Sequence, residues 1–480
     1  MAPRVRFAPS PTGYFHVGSA RTSLFNWLFA RQTGGTFVLR IEDTDAERGS
    51  QEWLDGIISA MSWLGLAADE GPYRQSERED RHRQLADALY AAGLLYACDC
   101  SREAIDERTK GNATPGYDGY CRDRGVTRTP ETALRFRVPH EGETVVDDVI
   151  RGTVTFPHSA MEDFVAVKSS GVPLFALANA IDDRDMEITH VIRGEDLLPT
   201  TPKQLLMWSA LDVVDRVAPL PVFAHLPMLV NEQRKKLSKR RDPVAVESYR
   251  DQGYLPEAFI NYLALLGWSP HGDAEIVSRN VLVEQFRLED VHHAPAFFDV
   301  AKLTHINGEY LRAMSLEDFV AAAAPWITPE SASWTPEGHA VPWAPEQFDA
   351  DRFAAIAPLV QERITMLSEI PAMIDFLFLA NAPIDDAAFD KVIVNDERAD
   401  EILGAALATY ATATFEPEAL HEATLAMGEP LGLKLRKTQA PIRVAVTGRS
   451  VGPPLFESLA LLGRDEVCRR LEVARQRAKG

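Results

Sequence analysis

The chain has 480 residues and a mass of 53.2 kDa, too long for one ordinary core, so two to four domains are expected. With 46% apolar and 25% charged residues it has the balance of a folded globular protein, which excludes wholesale disorder, and no apolar run approaches the ~20 residues that cross a bilayer. A net charge of −20 speaks against a nucleic-acid partner on average, yet residues 431–480 hold eleven Lys and Arg against four Asp and Glu, leaving the rest of the chain at −27.

In chain order, Met1–Arg6 has no apolar leader core, so no secretory signal is expected. Arg4–Phe7 reads as a short strand running into a loop of turn formers, Ala8–Gly13. From about His16 an apolar stripe (Leu24, Phe25, Trp27, Leu28) predicts a helix ending near Thr33-Gly34-Gly35, and Thr36–Ile41 predicts a second strand. A βαβ unit of this kind binds its ligand at the carboxyl ends of the strands. Two further strands are expected at Ile188–Ile192 and around Val222–Phe223. Between them and the start, residues 98–185 differ in texture, with a cysteine cluster and strands at Ala133–Val138 and Val145–Val154, and read as an insertion.

The expected fold class is α/β. A Rossmann-type parallel-sheet domain (1–97 and 186–243) is split by the α+β insertion 98–185, and mainly α-helical segments follow. These are a helical stretch at 244–325, a proline-rich, linker-like segment at 326–348 and a helical region at 349–480.

Three groups of residues carry chemistry. Pro9-Ser10-Pro11-Thr12-Gly13-Tyr14-Phe15-His16-Val17-Gly18-Ser19 stands where strand turns into helix, and a helix start offers free N–H groups to phosphate oxygens. Gly18 lets an adenine or ribose lie against the backbone, and His16 can donate to a phosphate; alone, the stretch is equally a capped, Pro-rich turn. The second group is a basic knot, Arg234–Arg241, containing Lys236-Leu237-Ser238-Lys239-Arg240; such a loop neutralises charge on a departing pyrophosphate, or is simply a solvated charge run. The third is Cys98 and Cys100 with Cys121, three thiols in a chain whose cysteine usage points to a reducing cytoplasm, where such a group favours zinc. The fourth ligand would be Asp123, with Tyr117 as the alternative. Cys468 reads as a core cysteine.

Taken together, these stretches resemble the bacterial glutamyl-tRNA synthetases, which are class I aminoacyl-tRNA synthetases. Ala8–Ser19 matches the family's "HIGH" motif and Lys236–Arg240 its "KMSKS" motif. Arg40–Asp45, Ile188–Asp196, Phe223–Pro227 and Ala258–Trp268 match as well, so the likeness runs nearly end to end. The resemblance implies activation of L-glutamate by ATP with Mg2+ and transfer of the glutamyl group to the terminal adenosine of tRNA(Glu), with tRNA(Gln) left open.

By position, the resemblance assigns Arg6 and Arg193 to the substrate carboxylates, Glu42 and Ser10 to its amino end, and Phe175 and Asn179 to the pocket. Pro9, Ser10, His16, Gly18, Asp196 and Lys239 fall to ATP, with Lys239 and then Lys236 as catalytic lysines beside His16 and Gly18. It further implies one structural zinc in an acceptor-end-binding insertion, stem contact by 244–325, and anticodon binding by 349–480. Lys434–Lys437 and Arg443 to Arg449 would contact phosphate, and the enzyme would act as a cytoplasmic monomer without membrane contact. The competing readings are a freestanding adenylyltransferase, a truncated relative that modifies a tRNA base, and a catalytically silent RNA-binding paralogue.

Overall fold

The fold is given by a computed structural model that describes residues 2–44, 49–111, 116–237, 244–272 and 274–479. It forms two compact units, Met1–Ser248 with Pro256–Val300, and Tyr249–Leu255 with Ala301–Gly480. The stretch 244–325 is therefore shared: residues 256–300 pack with the first unit and 301–325 with the second.

The first unit opens with β1 (Arg4–Phe7), α1 (Val17–Thr33) and β2 (Thr36–Ile41). Helix α1 stops at Gly34, which takes the left-handed φ of 64° and donates its N–H to Ala30 O, a conformation that suits glycine. The buried stripe of α1 includes Leu24, Phe25 and Leu28, and Phe25 meets Phe286 edge-on at 5.2 Å. There follow α2 (Gln51–Trp63), β3 (Glu70–Arg74), α3 (Glu79–Ala91), β4 (Leu95–Cys98), α4 (Arg102–Thr109), β5 (Ala133–Phe136), β6 (Glu143–Asp148), β7 (Gly152–Pro157) and β8 (Val165–Val167). Then come α5 (Phe175–Asp185), β9 (His190–Gly194), α6 (Thr201–Val214), β10 (Val222–Leu226) and β11 (Leu229–Val230).

The main sheet has the order β3-β2-β1-β9-β10-β6-β7, parallel except for the β6–β7 hairpin. Strand order reverses between β1 and β9, so a crevice is expected at the carboxyl ends of those two strands. A separate antiparallel sheet, β4-β5-β8, buries Ala97, Leu134 and Phe136 with Phe164 against α3, α5 and α6.

The region 145–154, expected as one strand of the insertion, is instead the hairpin β6–β7, and β6 joins the parallel sheet with Asp148 opposite Phe223. The alternation along β6 explains this: Thr144, Val146 and Asp148 face inward while Val145 is exposed, and β6 covers what would otherwise be an open sheet edge at β10. Asp148 also stops the strand, its Oδ1 accepting the N–H groups of Ile150 and Arg151 at 3.0 and 2.8 Å.

The second unit is helical, including Ala350–Gln361, Ala399–Tyr410, Leu435–Thr447 and Arg464–Ala478. The segment 326–348, expected as a linker, is packed. Trp343 is buried, donates Nε1–H to Ile327 O at 3.2 Å and lies 5.2 Å from the Phe378 ring. Large rings with a polar handle anchor a chain that has no helical period.

Candidate active site

A cavity of about 640 Å³ opens at the carboxyl ends of β1, β2, β9 and β10, within the range that holds a small-molecule ligand. Its first wall is the loop after β1 and the start of α1, with Pro9, Ser10, His16 and Gly18. His16 is the N-cap of α1. Its Nδ1 accepts the N–H of Ser19 at 3.1 Å and its Nε2 lies 3.0 Å from Ser19 Oγ, so Nε2 carries the proton. The small polar residue that follows Gly18 is thus the partner that fixes the imidazole. Gly18 keeps this wall low: a Cβ there would sit 3.1 Å from the His16 ring.

The floor is a set of buried charges. Arg6 and Arg193 are 3% and 4% exposed, and with Glu42 and Phe175 they line the cavity. Arg6 pairs with Asp183 through Nε at 3.1 Å, and Arg40 reaches the same carboxylate at 2.7 Å. Burial alone would raise the Asp183 pKa, but the two guanidiniums outweigh it and hold the group below the ordinary range. Glu42 lies 3.5 Å from Arg40, and here burial prevails, raising its pKa. Asn179 is fully buried behind this floor, where its Oδ1 accepts from Arg40 Nη2 at 2.5 Å; it supports the charges and is outside the cavity lining.

Arg193 has a different environment. Its Nε donates to His225 Nε2 at 3.1 Å and its Nη2 to Thr201 Oγ1 at 2.8 Å, whereas Nη1 is buried without a partner. Burial and the neighbouring Arg6 lower its pKa to about 9. Because Arg193 can only donate, His225 Nε2 is the acceptor and the imidazole proton is on Nδ1, which donates to Asp148 Oδ2 at 2.6 Å. Burial first, and then the charge of Arg193, push the His225 pKa down despite Asp148, keeping the ring neutral.

The third wall brings in the basic knot. Backbone bonds Leu237 N to Leu229 O (3.2 Å) and Asn231 N to Lys235 O (2.9 Å) close a hairpin that presents Lys236, whose Nζ meets Asp196 Oδ2 at 3.1 Å. Beyond it, Val17 N donates to Val244 O and Val246 N to Phe15 O, both at 2.9 Å, tying the chain after the knot to the histidine turn. Lys236, Leu237 and Val244 line the same cavity as His16 and Gly18. Lys239 lies outside the described residues.

Cys98, Cys100 and Cys121 gather with their sulfur atoms within 4.8 Å of one another, all as free thiols. Tyr117 Oη is 3.8 Å from Cys98 Sγ and accepts the Cys121 N–H at 2.7 Å, at the edge of the cluster. Asp123 points away, its carboxylate exposed and paired with Arg137 at 2.9 Å. Three convergent sulfurs fit the thiolate part of a tetrahedral zinc site.

Sequence reasoning missed Asp148, Asp183, His225 and Thr201. His225 and Arg40 lie inside matched stretches but do not show their partners, and Asp148 and Asp183 lie in the segment read as an insertion. In the second unit, Lys434, Arg436 and Lys437 are exposed at the start of the helix Leu435–Thr447. Arg443 and Arg449, expected as phosphate contacts, are committed internally: Arg443 donates to Pro453 O at 2.7 Å, and Arg449 forks onto Asp375 at 2.7 and 2.5 Å.

Residues 3–305 match the family model described as tRNA synthetases class I (E and Q), catalytic domain, and residues 318–475 match the anticodon binding domain. The second match separates this chain from a freestanding adenylyltransferase and from a truncated relative. The glutamate–tRNA ligase of Frankia casuarinae is 56% identical over 99% of this chain and 98% of its own length. That of Salinispora arenicola is 54% identical over 99% and 100%. A solved glutamate tRNA ligase from Elizabethkingia meningosepticum, in complex with its amino acid, superposes with a TM-score of 0.83 at 30% identity, covering 99% of both chains. With the catalytic crevice, the anticodon-binding match and this full-length likeness agreeing, the chain belongs to the glutamate–tRNA ligases, on the class I tRNA synthetase architecture.

Proposed function

We propose that the 640 Å³ cavity is where this ligase joins glutamate to the α-phosphate of ATP, before transfer of the glutamyl group to the terminal adenosine of tRNA(Glu). The observation that carries this is the Nη1 of Arg193, a buried donor without a partner on a residue lining the cavity, since such a group calls for an anion. Arg193 takes the side-chain carboxylate of glutamate as a guanidinium fork. Arg6, already shared with Asp183, steers the α-carboxylate, and Glu42 with Ser10 receives the ammonium group.

The carboxylate oxygen attacks the α-phosphorus, forming the acyl–phosphate bond as the bond to pyrophosphate breaks. The N-terminus of α1, fixed by His16, faces the phosphates, and Gly18 admits the nucleotide. Class I synthetases use ATP with Mg2+, which neutralises triphosphate charge when bound. Lys236 exchanges Asp196 for the departing pyrophosphate, and Lys239 is proposed to join it. Holding the reactants in line supplies most of the acceleration. Zinc on Cys98, Cys100, Cys121 and Tyr117, with Asp123 set aside by its exposure, would brace the insertion that meets the acceptor end. Lys434, Arg436 and Lys437 are the proposed phosphate contacts of the second unit.

ATP–pyrophosphate exchange with glutamate, in the presence and absence of tRNA, tests this reading. Exchange is expected only with tRNA, and Arg193→Ala should lower kcat/KM for glutamate by about 10⁴, as buried polar recognition sites do when a partner is lost. Near-wild-type glutamate use by that variant would overturn the assignment. Charging purified tRNA(Glu) and tRNA(Gln) side by side decides the tRNA range.

A further inference from the structure

Arg193 departs from the way buried arginines are usually stabilised. Among the described residues no carboxylate forms an ion pair with it, although Asp183 binds both Arg6 and Arg40 close by. Its hydrogen-bond partners are neutral: His225 Nε2 on Nε and Thr201 Oγ1 on Nη2. The rings of Phe175 and Phe223 lie 6.0 and 5.8 Å from its guanidinium carbon. Two nitrogens are thus held, and the third is left with its hydrogen-bonding capacity unused.

We propose that His225 is a positioning residue for glutamate recognition, holding Arg193 by Nε so that Nη1 meets the substrate carboxylate without an ion pair already made. This rests on the reading of Arg193 given above. The imidazole acts as a neutral spacer. A carboxylate in its place would hold Arg193 equally well but would neutralise it and compete with the substrate. The spacer is itself fixed from behind, because Asp148 Oδ2 accepts the Nδ1 proton at 2.6 Å and so enforces the tautomer in which Nε2 is an acceptor. Asp148 in turn is immobilised by the N–H groups of Ile150, Arg151 and His225. It occupies this position because β6 joins the main sheet beside β10, which gives a hairpin from the 98–185 stretch a part in amino-acid selection.

The two faces of the His225 ring can be separated by substitution. In His225→Asn the amide reaches the place of Nδ1, keeping a bond to Asp148, but it is too short to accept from Arg193. In His225→Gln the amide oxygen reaches the place of Nε2 and can still accept from Arg193. Steady-state exchange kinetics with tRNA present should show KM for glutamate raised about 10- to 100-fold in His225→Asn, the loss of one hydrogen bond to a charged group, with KM for ATP unchanged. His225→Gln should stay close to wild type. Thr201→Val, which frees Nη2 and also removes the hydroxyl 3.0 Å from His225 Nε2 with little change of shape, should raise KM for glutamate about tenfold and serves if His225→Asn does not fold.

Equal effects of the two His225 variants, a matching rise in KM for ATP, or an unchanged KM for glutamate in Thr201→Val would overturn the proposal. Arg193→Gln run in parallel separates the two levels. If it leaves KM for glutamate unchanged, the reading of Arg193 itself fails. If it raises KM while His225→Asn does not, only the positioning role fails.

Discussion

Asp183 shows how much of the site is decided by single buried charges. One carboxylate, 5% exposed in its side chain, balances Arg6 at 3.1 Å and Arg40 at 2.7 Å. Asp183→Asn leaves the buried Arg6 without its ion-pair partner and Arg40 with Glu42 alone at 3.5 Å, and unfolding in urea should show a loss of about 3–5 kcal/mol. The pH dependence has a definite sign. The folded-state pKa of Asp183 is depressed, so its contribution to stability is complete above the ordinary aspartate value of about 3.9 and is lost as pH falls through the folded value. Acid titration of unfolding should therefore be shallower in Asp183→Asn than in wild type. Arg6 pairs with Asp183 because α5 delivers its carboxylate beneath β1, a contact between residues 177 positions apart in the chain.

At the scale of elements, α1 was legible from end to end. Its apolar stripe, the turn formers before it and the glycine after it are local signals, and the helix runs Val17–Thr33 as the pattern implies. Gly34 has φ 64° and nothing within 4 Å of where a Cβ would be, so Gly34→Ala carries a purely conformational penalty. A loss of about 1–2 kcal/mol in denaturant unfolding is expected, with exchange activity retained at temperatures where the protein remains folded. The hairpin β6–β7 was not legible. The run 145–154 alternates as a strand should, but alternation does not say which sheet a strand joins or that Gly152, at φ 71°, begins a second strand.

For the whole molecule, charge distribution and metal content yield two tests. Binding of tRNA to so acidic a chain depends on a few exposed cations, and Arg436→Ala should weaken it and reduce the slope of log affinity against log salt by about 1. Metal analysis should find close to one zinc per chain. Replacing Cys121 by Ser should abolish zinc binding and impair transfer to tRNA more than glutamate binding, because the sulfur cluster lies outside the lining of the cavity proposed for glutamate.

The residues proposed to touch ATP and glutamate stand in short stretches of the sequence: a helix start that must be free of bulk, a lysine knot and an arginine at a strand end. Each such stretch is short and contiguous, so it can be matched to the family it resembles, and the roles of Arg193 and the lysines follow from that resemblance. The partners of those residues were not legible. Asp183 beneath Arg6, and His225 and Asp148 behind Arg193, come together from segments tens to well over a hundred residues apart, brought there by sheet order and core packing. Burial in that core sets the charge state of each group and leaves one arginine nitrogen without a partner, and burial arises from neighbours that are remote along the chain.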